Sequence, residues 1–302
     1  MKYLRLARYK NLLFIAATQF LIKYGLFEPF GASITLDVLG YFLLALATVC
    51  LAAGGYIIND VQDVQTDRIN RGDKTIIGSG VSEKTGYNLF MILNVAGVGI
   101  GFYLSNIVGW PVFSGLWIFA SAILYFYAMY LKRLPLIGNI IVSCTIAGVV
   151  VIVGLYDLLP AINDQNQPLQ RLLFSILTDY AVFAFLINLL REMVKDQEDI
   201  KGDYNAGMQT LPIILGTSRT NKVIFTVALF PLVAIFHYTY TYLFQNTLAT
   251  IYVLLFIFAP LIYVMLKIWD AEKKEQFTRL SLILKLILFF GLVSMGLYKF
   301  IL

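Results

Sequence analysis

Of the 302 residues, 59% are hydrophobic and only 14% charged, with a mean hydropathy of +0.78. This excludes an ordinary soluble domain, in which apolar residues make up about half and charged residues about a quarter. The net charge of +5 comes with no soluble basic module, so no nucleic-acid partner is expected, and nothing in the chain implies an obligate protein partner.

The apolar stretches are about 20 residues long and lack the strict alternation of barrel strands, which predicts membrane-crossing helices. Nine spans are expected, at about 11–30, 38–58, 87–108, 111–131, 136–158, 172–190, 221–243, 248–268 and 281–301, forming one membrane domain over residues 1–302. The first stretch runs on at spanning length without a small-residue cleavage site, so it is read as a span and not as a cleaved leader. Cys50 and Cys144 both fall inside apolar stretches, which predicts two small buried thiols with no disulfide or metal role.

Arg8 and Asn11 stand at the entry of the first span, and Lys23 lies deeper in it without an evident partner. Where the second span stops, the chain reads Asn59-Asp60-Val61-Gln62-Asp63-Val64-Gln65-Thr66-Asp67. On a helix Asp60, Asp63 and Asp67, at i, i+3 and i+7, share one face. Arg71 and Lys74 follow, together with Gly and Ser residues suited to a tight loop, and are candidates for holding phosphate charge. At the end of the fourth span Lys132 and Arg133 precede Pro135, which ends the helix; the alternatives there are phosphate contacts or snorkelling to headgroups. Asn188 lies near the end of the sixth span, followed by Arg191 and by Asp196, Asp199 and Asp203, the same i, i+3, i+7 pattern, with Glu192 one turn earlier. Asn11 and Asn188 are candidates for lining a site, because polar groups inside spans face the bundle interior or a wet cavity. His237, the only histidine, has no partners for a triad or a His-rich metal site and is placed near the far interface.

Three carboxylates on one face repel one another unless a cation holds them, and oxygen ligands of this kind suit Mg²⁺, which is commonly completed by substrate phosphate oxygens. A single acidic run reads as a solvated face; two with the same spacing, each at the end of an apolar span, read as a site. With nine spans, the N-terminus and the segments after spans two, four, six and eight share one side. That side holds nearly all the lysines and arginines, which places the N-terminus and both acidic runs in the cytoplasm. An internal duplication with a site between its halves would produce this arrangement.

At these residues the chain resembles the UbiA superfamily of intramembrane prenyltransferases: nine spans, Asn59-Asp60-x-x-Asp63-x-x-x-Asp67 after the second, and Asp196-x-x-Asp199-x-x-x-Asp203 after the sixth. The resemblance implies an all-α integral membrane protein of the cell inner membrane, with nine transmembrane helices in a UbiA-like bundle and a cytoplasmic-side active site. It also implies Mg²⁺ ions held by Asn59, Asp60, Asp63, Asp67, Asp196, Asp199 and Asp203, bridging a prenyl diphosphate, with Asp60, Asp63, Asp196 and Asp199 essential to catalysis. Asn11, Arg71, Lys74, Lys132, Arg133, Asn188 and Arg191 are the candidate substrate contacts. The segments Arg191 to Asp203 and Leu131 to Asn139, with Thr210-Leu211-Pro212, look most like the digeranylgeranylglyceryl phosphate synthase branch, which implies a prenylated glycerol phosphate as acceptor. Departures from the family pattern are Lys74-Thr75, where Arg-Pro is common, Gln209, where a lysine is common, and the four-residue gap between Tyr127 and Lys132.

Two alternatives remain. One is an aromatic acceptor of quinone biosynthesis, such as 4-hydroxybenzoate or a naphthoate. The other is a cation transporter, disfavoured because its ionisable residues would sit near mid-membrane, whereas these acids crowd one face.

Overall fold

The computed structural model of the chain describes residues 2–64, 75–78 and 80–297. Asp67, Arg71 and Lys74 lie outside the described residues. The chain begins with α1 (Lys2–Leu6) and α2 (Tyr9–Leu21), which continues as a π-helical turn over Ile22–Phe27. It continues through α3 (Val38–Gln62), α4 (Glu83–Ile107), α5 (Ser114–Met129), α6 (Ile137–Val153) and the long α7 (Gln167–Asn205). The last part comprises α8 (Leu211–Leu215), α9 (Thr217–Tyr238), α10 (Thr247–Val253), α11 (Ala259–Ile268) and α12 (Lys274–Ser294). Among the described residues, eight helical stretches are long and apolar enough to cross a membrane, α10 and α11 counting as one through the turn that joins them. The stretch through α2, with Lys10, Asn11, Gln19 and Lys23 in it, is not among the eight.

Local chemistry sets the helix ends. Asp37 accepts a hydrogen bond from the Gly40 amide (2.7 Å) at the start of α3, and Ser82 accepts one from the Thr85 amide (3.1 Å) at the start of α4. Each such cap stabilises its helix by about 1 kcal/mol. Pro168 sits in the first turn of α7, where a missing N–H costs nothing, and Gly207, with φ +67°, takes the left-handed conformation that follows the helix end.

Helices α3 and α4 pack along their length, and a Cβ on Gly97 would come within 2.9 Å of the Leu51 side chain and 3.1 Å of the Ala47 carbonyl. A small residue is what allows the two backbones to approach so closely. α7 is the spine of the bundle, packing on α6, α9 and α12. Its early residues Leu173, Leu177 and Ala181 belong to an apolar core shared with α2 to α6, and its later residues Ile187, Leu190 and Val194 to a second core with α9 to α12. The outer surface carries large apolar side chains such as Phe42, Ile92, Phe119, Phe236 and Leu255. An apolar outside is what a lipid-facing bundle presents, in contrast to a soluble protein. Cys50 is buried as expected; Cys144, also expected to be buried, is exposed on α6, because its turn faces outward from the bundle.

Lys23 finds its partner at the end of the bundle away from the acidic runs. Its Nζ donates to the Leu36 carbonyl (2.9 Å), lies 3.7 Å from Asp157 Oδ2 and sits 4.3 Å from the Tyr41 ring centre. Asp157 accepts from the amides of Thr35 (3.1 Å) and Leu36 (2.8 Å), so it ties the segment between α2 and α3 to the end of α6. Both charged residues occupy π-helical turns, Ile22–Phe27 and Gly154–Leu158.

Candidate active site

The first acidic run is split between two cations. Asn59 and Asp60 lie on the last turn of α3, whereas Asp63 is at its C-cap with φ −96° and ψ 10°, so the helical face expected through Asp60 and Asp63 ends at Gln62. Asp60 accepts from Arg8 at 2.6 Å, and Asp63 accepts from Lys132 at 2.6 Å and from Asn59 at 2.8 Å. Arg8 is in the left-handed region (φ 53°, ψ 52°) at the start of α2, a conformation that costs a non-glycine residue about 1–2 kcal/mol, and its guanidinium lies 4.9 Å from the Tyr56 ring centre.

The second run stays on a helix. α7 continues without a break past Leu190 to Asn205, so Asp196, Asp199 and Asp203 share a face beyond the apolar part of the helix. Asn139, near the start of α6, donates to Asp196 at 2.9 Å. Glu192 is gripped by Arg191 (2.7 Å) and Lys195 (3.3 Å). Burial acts to raise its pKa, but Lys195 and Arg191 hold the carboxyl below its ordinary value. Asp196 is pushed up to about 7, chiefly by burial, with Glu192 and Asp199 adding to the rise against the Asn139 hydrogen bond. Asp203 is pushed up to about 8, again first by burial and then by the charges of Asp196, Asp199 and Asp63.

That last influence brings the two runs together: Asp63 on one side and Asp196, Asp199 and Asp203 on the other act on one another through space. Tyr127 is within electrostatic range of Glu192, Asp196, Asp63 and Arg8. Its ring packs toward Gly138, where a Cβ would come 3.5 Å from the ring and 2.9 Å from Lys132 Cα, so a glycine there lets the Lys132 turn fold back onto α6. Lys132 and Arg133, adjacent in sequence, differ in surroundings. The Lys132 side chain reaches Asp63, while Arg133 is exposed and its carbonyl accepts from the Gln209 amide (2.9 Å), joining the segments that follow α5 and α7.

Among the described residues no three carboxylate, histidine or cysteine side chains converge on a common point. Arg8 and Lys132 draw Asp60 and Asp63 toward themselves, and Asn139 draws Asp196. The donor set nevertheless fits a hard divalent cation: the ligating groups are all oxygens, and Asp196 and Asp203, raised first by burial, are raised further by neighbouring carboxylates whose charge a cation would offset.

Behind the carboxylates a cavity of about 120 Å³ runs into the apolar interior between α2, α6, α7 and α12, and Asn11, Tyr56, Asn188, Arg191 and Lys285 line it with apolar side chains. Asn11, Asn188 and Arg191 are therefore in one place, and Asn188 donates to Ser143 at 3.2 Å. A larger cavity of about 310 Å³ between α7, α9, α10 and α12 is lined by His237 and Asp179 among tyrosines and aliphatic residues. Sequence reasoning did not assign Arg8, Tyr127 or Asn139 to the site, and it passed over Lys285. Arg8 and Asn139 sit just outside or just inside span ends like many interfacial residues, whereas Lys285, a cation within an apolar segment, carried a usable signal.

Comparison with known proteins bears on the family and the fold. The model of the UbiA prenyltransferase family matches residues 14–293. A digeranylgeranylglyceryl phosphate synthase of Methanopyrus kandleri is 30% identical over 266 residues, covering 85% of this chain and 89% of the relative. One of Methanoculleus marisnigri is 32% identical over 186 residues, covering 62% of this chain and 61%, less than two thirds, of the relative. Among solved structures, one from work on digeranylgeranylglyceryl phosphate synthase in membranes superposes with a TM-score of 0.66 at 22% identity, covering 100% of this chain and 98% of the other. A UbiA homologue from Archaeoglobus fulgidus bound to DMAPP and Mg²⁺ gives a TM-score of 0.57 at 17% identity, covering 98% and 99%. With the family match running from α2 to the end of α12 and the fold shared along the whole bundle, the chain belongs to the UbiA prenyltransferase family.

Proposed function

We propose that this prenyltransferase moves a polyprenyl group from a prenyl diphosphate to a hydroxyl of a prenylated glycerol phosphate, with Mg²⁺ as cofactor. The observation that carries this reading is that the turn at Lys132 and the start of α6 join the two acidic runs: Lys132 bonds Asp63 at 2.6 Å and packs on Gly138, and the next residue, Asn139, bonds Asp196 at 2.9 Å. Asp60, Asp63, Asp196, Asp199 and Asp203, with Asn59, would hold the metal, whose chemistry is to neutralise the leaving diphosphate. The expected roles of Asp67, Arg71 and Lys74 belong to the same proposal.

The chain's own side chains do the remaining work. Lys132 and Arg8 supply positive charge beside the first run, where diphosphate oxygens would gather as the allylic C–O bond breaks. The apolar interior that α2, α6 and α7 share keeps water from the carbocation-like carbon. Tyr127, within electrostatic range of both runs, is the aromatic side chain assigned to stabilising that developing charge. The acceptor oxygen forms its bond to carbon as the diphosphate leaves, and its proton passes to a neighbouring carboxylate or water.

The helical stretch through α2 is the ninth crossing in this reading, and the crowding of lysine and arginine at the acidic end supports a cytoplasmic side for that end and the N-terminus, in the cell inner membrane. Support for the lipid acceptor comes from the relatives' names and from cations beyond those that one diphosphate needs. Purified protein supplied with geranylgeranyl diphosphate and Mg²⁺ is expected to prenylate geranylgeranylglyceryl phosphate. Product formed only with 4-hydroxybenzoate or a naphthoate would overturn the acceptor and leave the transferase. Metal-coupled flux in proteoliposomes with no diphosphate released would overturn both.

A further inference from the structure

Lys285 lies about three turns into α12 from Lys274, inside an apolar helix, where a lysine is costly and calls for a reason. Its Nζ donates to Asn11 Oδ1 at 3.2 Å across the seam between α12 and α2, which Phe14 and Phe289 close a turn deeper with ring centres 6.4 Å apart. The charges that act on Lys285 are those of Arg191 and Lys10, both positive. The cavity it lines with Arg191 contains no aspartate or glutamate, and among the described residues no carboxylate is within ion-pair distance of it. Arg191 uses one terminal nitrogen on Glu192, while its Nε is buried with no hydrogen-bond partner. Two cations lining one cavity, one of them with an idle buried donor, make a site for an anion with several oxygens.

Resting on the reading of the acceptor given above, we propose that Lys285, Arg191 and Asn11 bind the phosphomonoester head of the acceptor lipid, apart from the carboxylate-lined place of the diphosphate. The two places adjoin: Tyr56 faces Asn11 and carries Arg8 over its ring, and Arg8 is bonded to Asp60. Side chains on a helix lean toward its N-terminus, so Lys285 reaches from the apolar depth toward the acidic end, where a lipid entering along the α2 and α12 seam would present its head.

The test separates this site from the reaction. Binding of a single-chain alkylglycerol phosphate and of the same alkylglycerol without phosphate is measured on the intact protein in detergent, without prenyl diphosphate, for wild type, Lys285→Gln and Lys285→Arg. Wild type is expected to favour the phosphate form about tenfold or more, Lys285→Gln to lose that preference, and Lys285→Arg to keep most of it. In turnover, Lys285→Gln is expected to raise KM for the acceptor about tenfold while KM for the prenyl diphosphate stays within about twofold. Equal binding of the two lipids by wild type, or an unchanged preference in Lys285→Gln, overturns the site whether or not glyceryl phosphate is prenylated. A preference lost in Lys285→Gln, with wild type unable to prenylate the lipid, supports the anion site and overturns the acceptor reading alone.

Discussion

In the proposed reaction Asp63 and Asp196 share the task of holding the metal, but they sit in different electrostatic company. Asp63 pairs with Lys132 at 2.6 Å, while Asp196 accepts from the neutral Asn139 amide at 2.9 Å and, among the described residues, has no cation within ion-pair distance. Replacing either by Asn keeps the shape and removes a charged oxygen ligand. Asp63→Asn and Asp196→Asn are expected to lower kcat by about 100-fold or more, corresponding to about 3 kcal/mol of transition-state stabilisation, with melting temperatures within a few degrees of wild type. Steady-state kinetics and thermal unfolding of the detergent-solubilised variants check this; activity near wild type in either variant would remove that residue from the metal set. The far-end pair behaves differently. Lys23 and Asp157 are both buried, and removing one partner leaves an uncompensated charge. Lys23→Met is expected to cost about 3–5 kcal/mol of stability while leaving KM for the prenyl diphosphate unchanged, and Lys23→Met with Asp157→Leu to recover part of the loss. A single variant as stable as wild type would show that the pair does not hold the segment between α2 and α3.

At the scale of the element, α7 does most of the positioning. Its 39 residues extend about 58 Å, roughly twice the hydrocarbon thickness, so the same rigid helix that packs both apolar cores also carries the second acidic face. One alanine inserted between Met193 and Val194 would rotate everything beyond it by about 100°. Asp196 would then turn away from Asn139 and from the first run, and turnover should fall to background although the apolar part of the helix up to Leu190 is untouched. Comparing that variant with one alanine inserted after Asn205, beyond the helix, distinguishes rotation of the face from insertion as such; equal activity in both would mean that the register of α7 is irrelevant.

For the whole molecule, the consequence is sidedness. If the stretch through α2 crosses the membrane, Lys2, Arg133 and Glu272 lie on one side and Ser33, Asn163 and Gln245 on the other. In a background with Cys50 and Cys144 replaced by Ala, single cysteines at these six positions should label with a membrane-impermeant maleimide in two groups of three from opposite faces of sealed vesicles. Lys2 and Ser33 labelling from the same face would remove α2 from the crossings and leave eight.

The amino-acid sequence was sufficient for the class and for much of the candidate site. Runs of about 20 apolar residues have one stable form in lipid, a helix with its backbone bonded internally, and a carboxylate pattern repeated at two span ends is visible without coordinates. Partners distant in sequence were not legible. That Arg8 reaches Asp60, Lys132 reaches Asp63, Asn139 reaches Asp196 and Lys23 reaches Asp157 depends on which helices become neighbours, and one polar residue at a span end looks like another until packing selects it. Lys132 and Arg133 are another case: adjacent in the chain, they differ in surroundings, Lys132 pairing with Asp63 and Arg133 exposed. The positions of the spans followed from local hydropathy, a property of consecutive residues, whereas the pairing of charges, the separation of the cavities and the placing of Lys285 opposite Arg191 were decided only when helices far apart in the chain came into contact.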